Sequence, residues 1–378
     1  MSFTKLGLDL ALLPLINKKY ANPYPIQELA IPKILSGGDV LGIAKTGSGK
    51  TVAFVLPALM KAPSKPSKNR HIHTLVLVPT RELAVQVTEV FNYFEKAFVD
   101  PIKIRAVYGG VSINPQMMDM NNVSILVATP GRLLELIEQK AVSISACSLL
   151  VIDEADKLLN LGFQDEMNAI FELLPKERQS ILFSATLSKD VSTISEKVCK
   201  NPEVIKIEED EHVIDLITHS VYIVEEERKG PFLRYLIKSQ ELKQVLIFTS
   251  SIQRADRVAD KLRKNGIEAS AIHSSKSQHA RTEALQHFKK GKVSVLVATD
   301  LIARGIDIEY LPVVINYELP RSPKDYIHRI GRTGRADNPG EAITILTRDD
   351  LHHFNVILKK MDREAYFHDT DQIDLHGF

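Results

Sequence analysis

Short apolar runs recur along the chain, and most of them end in a hydroxyl, acidic or proline residue. The runs are HTLVLVPT, VSILVATP, SLLVIDEAD, SILFSAT, QVLIFTSS, VSVLVATD, PVVINYELP and EAITILT. Continuous apolar strands are typical of a parallel sheet that is covered on both faces. Helical patterns such as RELAVQVTEVFNYFEKAF and RADRVADKLRKNG lie between them. The alternation predicts an α/β fold with doubly wound sheets, in which ligands bind beyond the carboxyl ends of the strands.

An acidic run, EEDE, follows the strand-like EVIKI, and strand–helix units occur on both sides of it. Because 378 residues exceed one typical domain, we expect two domains, 1–207 and 216–378, with a linker at 208–215. A charged surface loop within one domain is the alternative. The near repeat of VSILVAT (Val123–Thr129) as VSVLVAT (Val293–Thr299) favours two related halves.

The composition is that of an ordinary globular protein, with 44% hydrophobic residues, 25% charged residues and a net charge of +1. No apolar run approaches the roughly 20 residues that span a membrane, and the N-terminus has no signal-peptide pattern. Cys147 and Cys199 have neither metal nor redox spacing, so we expect reduced thiols in a cytoplasmic protein without a membrane partner. The balanced charge argues against a polyanion-coated surface but leaves room for a local basic groove.

The segment AKTGSGKT follows the strand-like DVLGI and precedes a helical pattern. It is the phosphate-loop pattern, except that Ala44 stands at the first glycine position. In this pattern backbone N–H groups converge on phosphate oxygens, the lysine reaches the β and γ phosphates, and the last hydroxyl ligates Mg²⁺. A glycine turn with a chance lysine is the competing interpretation. The predicted nucleotide contacts are Ala44, Thr46, Gly47, Ser48, Gly49, Lys50 and Thr51.

The stretch SLLVIDEADKLL ends a buried run in three carboxylates within four positions. Crowded like charges are unfavourable unless something pairs with them. Beside a phosphate loop, Asp153 stands where an acid usually holds Mg²⁺, partly through water, together with Thr51. Glu154 could take a proton from the attacking water or orient it. Solvated surface acids are the alternative.

Seven motifs occur in the order and rough spacing of the DEAD-box RNA helicases. They are AKTGSGKT, PTRELAVQ, TPGR, DEAD, SAT, ATDLIARGID and YIHRIGRTGR. The chain therefore resembles the minimal core of that family over nearly its whole length. The resemblance implies two tandem RecA-like domains, each a mostly parallel sheet with helices on both faces. It also implies ATP and RNA bound across the cleft, and RNA-stimulated ATP hydrolysis coupled by cleft closure to local, non-processive unwinding of short RNA duplexes.

Upstream of the phosphate loop, YANPYPIQ is similar to the motif with which the family recognises adenine. The resemblance implies that Gln27 hydrogen-bonds the adenine edge, that Tyr20 packs on the ring, and that Phe3 is the family's isolated upstream aromatic residue. Two positions depart from the family pattern. Lys19 stands where glycine is usual, and Tyr24 where threonine is usual.

The family's arginine fingers correspond to Arg332 and Arg335, whose planar forks suit the γ-phosphate oxygens. Their spacing predicts one face of a helix. They would join Lys50, Asp153 and Glu154 as the catalytic set. Gly305 and Asp307 would complete the nucleotide contacts, with Asp307 on the ribose. The second half has no Gly-Lys-Thr loop, so we expect one ATP per chain.

The RNA contacts implied by the resemblance are mostly small, hydroxylic or glycine residues at strand ends. They are Pro79, Thr80, Arg81, Gly109, Gly110, Thr129, Gly131, Arg132, Thr249 and Thr299. Such groups suit phosphate and 2′-OH contacts, so we expect sequence-independent binding to single-stranded or short duplex RNA. The residues implied to couple hydrolysis to RNA are Asp156, Ser184, Thr186 and His328. We expect Asp156 to face Ser184 or Thr186 and His328.

Two further functions share these motifs. One is an ATP-gated RNA clamp, or an RNP remodelling factor, without strong unwinding, and the other is a DNA-directed helicase. The C-terminal segment MDREAYFHDTDQIDLHGF is mildly acidic. We therefore expect salt-sensitive RNA affinity and a dependence on protein or RNP partners.

Overall fold

The apolar runs form buried strands in the computed structural model, which describes residues 2–45, 47–63, 70–207, 217–300, 311–334 (without the side chain of Lys324) and 340–378. The strands of the described residues are β1 Val40–Ile43, β2 Thr74–Leu77, β3 Ile104–Val107, β4 Ile125–Ala128, β5 Leu149–Ile152, β6 Gln179–Ser184, β7 Glu203–Lys206, β8 Ile217–Ile223, β9 Val245–Thr249, β10 Ala269–Ile272, β11 Val295–Thr299, β12 Val313–Asn316, β13 Gly340–Leu346 and β14 Tyr366–Asp369.

The α-helices of the described residues alternate with these strands. They are α1 Leu13–Asn17, α2 Pro25–Leu35, α3 Lys50–Lys61, α4 Arg81–Glu95, α5 Asn114–Met118, α6 Pro130–Glu138, α7 Ala155–Asn160, α8 Gln164–Leu173, α9 Lys189–Val198, α10 Lys229–Ser239, α11 Ile252–Lys264, α12 Gln278–Lys289, α13 Pro323–Ile330 and α14 Leu351–Met361. Short 3₁₀ turns lie at Phe3–Lys5, Leu10–Leu12 and Arg348–Asp350.

The chain divides into two compact units, Met1–Glu208 and Glu209–Phe378. The predicted linker, 208–215, lies outside the described residues. Each unit contains one seven-stranded sheet in which the paired strands are parallel. Both sheets therefore belong to the predicted α/β class.

The two sheets have the same strand order. It is β3-β4-β2-β5-β6-β1-β7 in the first unit and β10-β11-β9-β12-β13-β8-β14 in the second. Numbered from the first strand of each unit, both orders read 3-4-2-5-6-1-7. The repeated segments VSILVAT and VSVLVAT form the fourth strand of each unit, as expected for two related halves.

Alternating side chains of the first unit's central strands enter two separate cores. In β5, Leu149 and Val151 join one apolar cluster of the first unit, and Leu150 and Ile152 join the other. The first cluster contains α2, α3 and α4 side chains, whereas the second contains side chains of α6, α8 and α9. Since successive strand residues point to opposite faces, both faces of the sheet are covered by helices. The polar strand ends remain at the edge, where ligands can reach them.

Candidate nucleotide and RNA sites

The carboxyl ends of the first unit's strands form two neighbouring groups. In sheet order, β3, β4 and β2 lead to the predicted RNA contacts, while β5, β6 and β1 lead to DEAD, SAT and the phosphate loop. The strand order therefore places the DEAD and SAT segments between the predicted RNA contacts and the phosphate loop.

The phosphate loop joins β1 to the start of α3. Gly49 caps the helix with a φ of 87°, a left-handed conformation that glycine adopts without a steric penalty. The buried Lys50 side chain donates to the Ala44 carbonyl at 2.6 Å, and the Ala44 N–H donates to the Ser184 carbonyl at 3.0 Å. The lysine is thus folded back over its own loop, which begins against the end of β6.

Gln27, the predicted adenine contact, is fully buried beneath the phosphate loop. Its Nε2 donates to the Gly49 carbonyl at 3.0 Å, and its Oε1 accepts from the Tyr24 N–H at 3.0 Å. A Cβ atom on Gly49 would lie 2.4 Å from the Gln27 Nε2 and 2.8 Å from the Tyr24 Cδ2. The predicted base contact and the phosphate loop are therefore in direct contact. Nearby in the same apolar cluster, the rings of Phe3 and Tyr20 lie 6.4 Å apart.

Asp153 and Glu154 follow β5, and both are buried. The Asp153 Oδ1 accepts from the Glu154 N–H at 2.9 Å. Burial raises the pKa of Asp153 to about 6; the charge of Lys50 opposes this shift and that of Glu154 adds to it. Glu154 itself has a φ of 53° and caps α7. A non-glycine residue held in this region is strained, and such residues cluster at functional sites.

Lys157 is a site residue that the motif analysis missed. Its Nζ forms a salt bridge with the Glu154 Oε1 at 2.7 Å, and both side chains are mostly buried. A lysine three residues after a glutamate at the start of a helix is a recognisable pairing signal, so the contact could have been predicted from the spacing.

The residues predicted to hold Mg²⁺ have suitable chemistry. The Asp153 carboxylate and the Thr51 hydroxyl are hard oxygen donors, and a buried carboxylate whose pKa is raised by burial gains from a nearby cation. Among the described residues, no three His, Cys, Asp or Glu side chains form a metal cluster. Mg²⁺ beside phosphates needs only one or two protein carboxylates, so the set fits this ion.

Asp156 lies in α7, and its Oδ2 accepts from the Thr186 Oγ1 at 3.4 Å. The Ser184 Oγ donates to the Thr186 carbonyl at 2.8 Å and accepts from the Thr186 N–H at 3.3 Å. These contacts join the end of β6 to the DEAD segment, as we expect for Asp156 within the first unit. His328 lies in α13 of the second unit.

Arg81 lies on Gly110 in the first unit's predicted RNA site. A Cβ atom on Gly110 would lie 1.8 Å from the Arg81 Nη2, and the φ of Gly110 is 74°, so a larger residue would be strained and would displace the guanidinium. Thr80 caps α4 by accepting from the Leu83 N–H at 3.2 Å. The loop after β3 and the start of α4 are thereby packed together.

Arg132, in contrast, is buried, and its side chain bonds to other groups of the first unit. Its Nε pairs with Glu135 at 2.8 Å, and its Nη2 donates to the Val111 carbonyl at 2.8 Å. Thr129 and Pro79 are buried as well, while Gly131 has open space beside it. The accessible members of this group are Thr80, Arg81, Gly109, Gly110 and Gly131.

In the second unit, Thr249 ends β9 and Thr299 ends β11, and the two are register partners in adjacent strands. Thr249 is fully buried and its Oγ1 donates to the Ser251 carbonyl at 3.3 Å, whereas Thr299 is half-buried. The structure therefore brings the two threonines of this unit together.

The arginine motif differs from the helical expectation. Helix α13 ends at Ile330 and is capped by Gly331, so Arg332 lies beyond the helix and the prediction of a shared helical face is wrong for it. Beyond the cap, the Arg332 carbonyl accepts from the Leu311 N–H at 3.1 Å. Arg332 is buried. The predicted contacts Thr46, Gly305, Asp307 and Arg335 lie outside the described residues.

Arg329, which the motif analysis did not single out, is more buried than Arg332, the other arginine of the motif that the structure describes. Its Nε and Nη2 donate to the two carboxylate oxygens of Asp300 at 2.6 and 2.8 Å. Its Nη1 donates to the Glu318 carbonyl at 2.6 Å. Only its place within HRIGRTGR could have drawn attention to it from the sequence.

Among the described residues, no helix has the length and apolar character needed to cross a membrane.

Comparison with known proteins identifies both units. The family profile described as DEAD/DEAH box helicase matches residues 24–194, and the helicase conserved C-terminal domain matches residues 228–337. The chain is 38% identical over 357 residues to the ATP-dependent RNA helicase CshA of Listeria monocytogenes, covering 94% of this chain and 68% of that protein. It is 37% identical to the DEAD-box ATP-dependent RNA helicase RhpA of Helicobacter pylori, covering 96% and 73% respectively.

Solved structures agree with these relatives. S. cerevisiae Dbp5 bound to RNA and ADP BeF3 matches with a TM-score of 0.84 and 30% identity, covering 98% of this chain and 96% of that chain. A DEAD box protein from the hyperthermophile Methanococcus jannaschii matches with a TM-score of 0.56 and 34% identity, covering 98% and 99%. The matches confirm the predicted tandem RecA-like domains, and the chain belongs to the family of DEAD-box ATP-dependent RNA helicases.

Proposed function

We propose that this chain hydrolyses ATP in response to RNA and uses the cycle to open short RNA duplexes locally, without long translocation. The observation that carries the proposal is the strand order of the first unit. The DEAD and SAT strands, β5 and β6, lie between the strands that lead to the RNA contacts and the strand that leads to the phosphate loop. A change at the nucleotide can therefore reach the RNA side through two adjacent strand ends.

In the proposed reaction Lys50 binds the β and γ phosphates, and Glu154 orients the attacking water and takes its proton. The Lys157 salt bridge holds the Glu154 carboxylate in place. Asp153 and Thr51 are proposed to hold Mg²⁺, partly through water, which when bound offsets phosphate charge.

The opposite charge on Arg332 and Arg335 stabilises the γ-phosphate in the transition state. Because those arginines belong to the second unit, hydrolysis depends on closure of the two RecA-like domains, 1–207 and 216–378, about the linker at 208–215.

Adenine recognition is proposed to use Gln27, flanked by Tyr20 and Phe3, with Gly305 and Asp307 at the ribose side. The Gln27 Nε2 donates to the Gly49 carbonyl in this structure, so binding of the base exchanges that bond for one to adenine. Base recognition is thereby linked to the position of the phosphate loop.

RNA recognition is proposed to rest on backbone groups and hydroxyls, not on base edges. The accessible Thr80, Gly110 and Thr299 suit sugar–phosphate contacts. The buried Thr129, Arg132 and Thr249 support those contacts from beneath. Asp156, Ser184, Thr186 and His328 are proposed to connect the nucleotide state to this surface, and protein or RNP partners to select the RNA.

Two other features complete the proposal. Cys147 and Cys199 are free, buried thiols, which supports a cytoplasmic location, where thiols are kept reduced. The similarity to Dbp5 bound to RNA supports RNA as the nucleic acid in preference to DNA.

The test is a strand-displacement assay on short RNA duplexes of increasing length, with ATP, beside measurement of RNA-stimulated phosphate release. We expect displacement that declines steeply with duplex length. RNA-stimulated hydrolysis without displacement would favour an ATP-gated clamp. Stimulation by DNA as strong as by RNA would favour a DNA-directed helicase, and hydrolysis indifferent to both would contradict the proposal.

A further inference from the structure

Four charged residues lie together beneath the strand ends that carry the predicted RNA contacts of the second unit. We name this group the strand-end network: Arg254, Asp300, Glu318 and Arg329. The strands β11, β9 and β12 are adjacent in that order, so their carboxyl ends meet at one edge. Thr249 ends β9 and Thr299 ends β11.

Glu318 anchors the loop that follows Thr249. Its Oε2 accepts from both the N–H and the Oγ of Ser250 at 2.8 Å each, and its Oε1 accepts from the Arg254 Nε at 3.0 Å. The Glu318 side chain is 19% exposed. Burial raises the pKa of this carboxyl, but the Ser250 and Arg254 hydrogen bonds outweigh burial and lower it overall, so the group stays ionised at neutral pH.

Arg329 joins the same residue to the other strand end. Its Nη1 donates to the Glu318 carbonyl at 2.6 Å. Its Nε and Nη2 donate to the two carboxylate oxygens of Asp300, the bidentate arrangement of an arginine–carboxylate pair. Asp300 directly follows Thr299. The guanidinium also lies 5.0 Å from the centre of the Phe248 ring, one residue before Thr249.

We propose that Glu318 and Arg329 are positioning residues for RNA: through Ser250 and Asp300 they fix the strand ends that carry Thr249 and Thr299. The proposal rests on the proposed function, in which Thr299 contacts RNA and the buried Thr249 supports that surface from beneath. Ser250 is exposed and follows a fully buried threonine, and its N–H and Oγ both donate to the Glu318 carboxylate, so loss of that carboxylate removes both bonds. The network therefore determines how well the two strand ends match an RNA backbone, not how tightly ATP is held.

The closing experiment compares Glu318→Ala with Glu226→Ala. Glu226 contacts the same Arg254, at 2.5 Å, but makes no contact with Ser250, so it is a matched control for the loss of one carboxylate from this cluster. RNA-stimulated ATPase is measured against RNA and ATP concentration, and amide exchange is measured for the segment around Ser250. Glu318→Gln, which keeps an acceptor for the Ser250 N–H, is the conservative variant.

For Glu318→Ala we expect the RNA concentration at half-maximal ATPase to rise by about 5-fold or more, as for the loss of charge-assisted hydrogen bonds, with kcat at saturating RNA and the KM for ATP nearly unchanged. Exchange at Ser250 should accelerate. Glu226→Ala should resemble the wild type. Glu318→Gln, which loses the charge but keeps a neutral acceptor for the Ser250 N–H, should show a smaller but measurable rise.

Three results would overturn the proposal. They are an RNA concentration at half-maximal ATPase that is unchanged in a folded Glu318→Ala protein, an equal rise of that concentration in Glu226→Ala, and amide exchange at Ser250 that stays as slow in Glu318→Ala as in Glu226→Ala. If Glu318→Ala fails to fold, Glu318→Gln decides, because a wild-type RNA requirement and a wild-type exchange rate in that variant would leave the charge no positioning role. A wild-type protein without RNA stimulation would contradict the proposed function, and the exchange rate at Ser250 would still decide whether Glu318 holds the loop.

Discussion

Glu154 combines a left-handed φ of 53° with a buried salt bridge to Lys157. A strained non-glycine residue of this kind costs roughly 1–3 kcal/mol and persists only where its surroundings hold it. Here the Asp153 carboxylate accepts from the Glu154 N–H on one side, and Lys157 holds the carboxylate on the other. The two contacts therefore fix both the backbone and the carboxylate of Glu154 at the start of the helix that it caps.

Glu154→Gln should slow ATP hydrolysis by on the order of 10² or more, because the amide cannot take the proton of the attacking water. ATP and RNA binding should remain, since neither contact depends on that charge. Steady-state phosphate release and nucleotide binding by fluorescence would measure the two effects. Glu172→Gln, on the exposed surface of the same unit, is the control. Near-normal turnover in Glu154→Gln would show that Glu154 does not take the proton of the attacking water.

Gly110→Ala should weaken RNA stimulation while Gly109→Ala leaves it nearly unchanged. A Cβ atom on Gly110 meets the Arg81 guanidinium at 1.8 Å and the φ of 74° is unfavourable for alanine, whereas nothing lies within 4 Å of a Cβ atom on Gly109. The RNA concentration at half-maximal ATPase measures the difference, with the KM for ATP as the internal control. Equal effects of the two substitutions would mean that the Arg81 contact is irrelevant to RNA.

At the scale of the elements, most of the strands that could be predicted are buried on both faces; the exposed edge strand β7, read from EVIKI, is the exception. The eight apolar runs all became strands, but β3, β8, β10 and β14 were not recognised. Three of these lie at sheet edges, where one side of the strand has no partner and polar residues are tolerated. β8 is internal but reads ITHSVYI, and its polar residues hide the pattern.

The predictability of the site followed the same physical division. Roles for motif residues on the chain's own loops, such as Lys50 and Asp153, could be proposed from sequence because their chemistry depends on local spacing, and they stay predictions. Contacts between distant segments, such as Arg329 with Asp300, depend on which strands become neighbours. The end of α13 before Arg332 was missed because Gly331 was interpreted as part of a motif and not as a helix cap.

His219 on β8 should make the protein less stable in acid. The ring is buried, neither nitrogen has a hydrogen-bond partner in the described structure, and burial, aided by the charge of Arg363, lowers its pKa from 6.5 to about 4. A pKa lowered by folding means that the unfolded chain binds the proton first. The stability that the neutral ring contributes is therefore complete above pH 6.5 and is lost as the pH falls toward 4.

The measurement is urea unfolding of the wild type and His219→Phe at pH 7.5 and pH 5. Between those pH values the wild type should lose on the order of 2 kcal/mol more unfolding free energy than the variant. His376→Gln, at an exposed position, should follow the wild type. A parallel pH dependence of the wild type and His219→Phe would show that the buried ring does not titrate on unfolding.

At the scale of the whole molecule, both cysteines lie in the first unit, which also carries the phosphate loop. Burial raises the pKa of the Cys147 thiol to about 11 and that of Cys199 to about 12. Since the thiolate is the reactive form, both thiols should be inert at pH 8 until this unit opens.

Alkylation by iodoacetamide at pH 8, followed by mass spectrometry, should therefore be slow in the native protein and rapid in urea. ATP with Mg²⁺ should slow it further, because a ligand that binds only the folded unit stabilises that unit. Fast labelling of either cysteine without denaturant would contradict the burial. An ATP effect that persists in Lys50→Ala would show that protection does not come from the phosphate loop.

The order of strands in the first sheet also limits how the nucleotide and the RNA can influence each other. Three strand spacings separate β2 from β1, about 14 Å at the usual spacing. The screening length at physiological ionic strength is only about 8 Å, so charge lost at the phosphates is felt weakly at the RNA through solvent. Under the proposed function, the signal is instead expected to travel as movement of the intervening strand ends. We therefore expect added salt to reduce how much RNA is bound, while the stimulation produced by each bound RNA stays nearly constant.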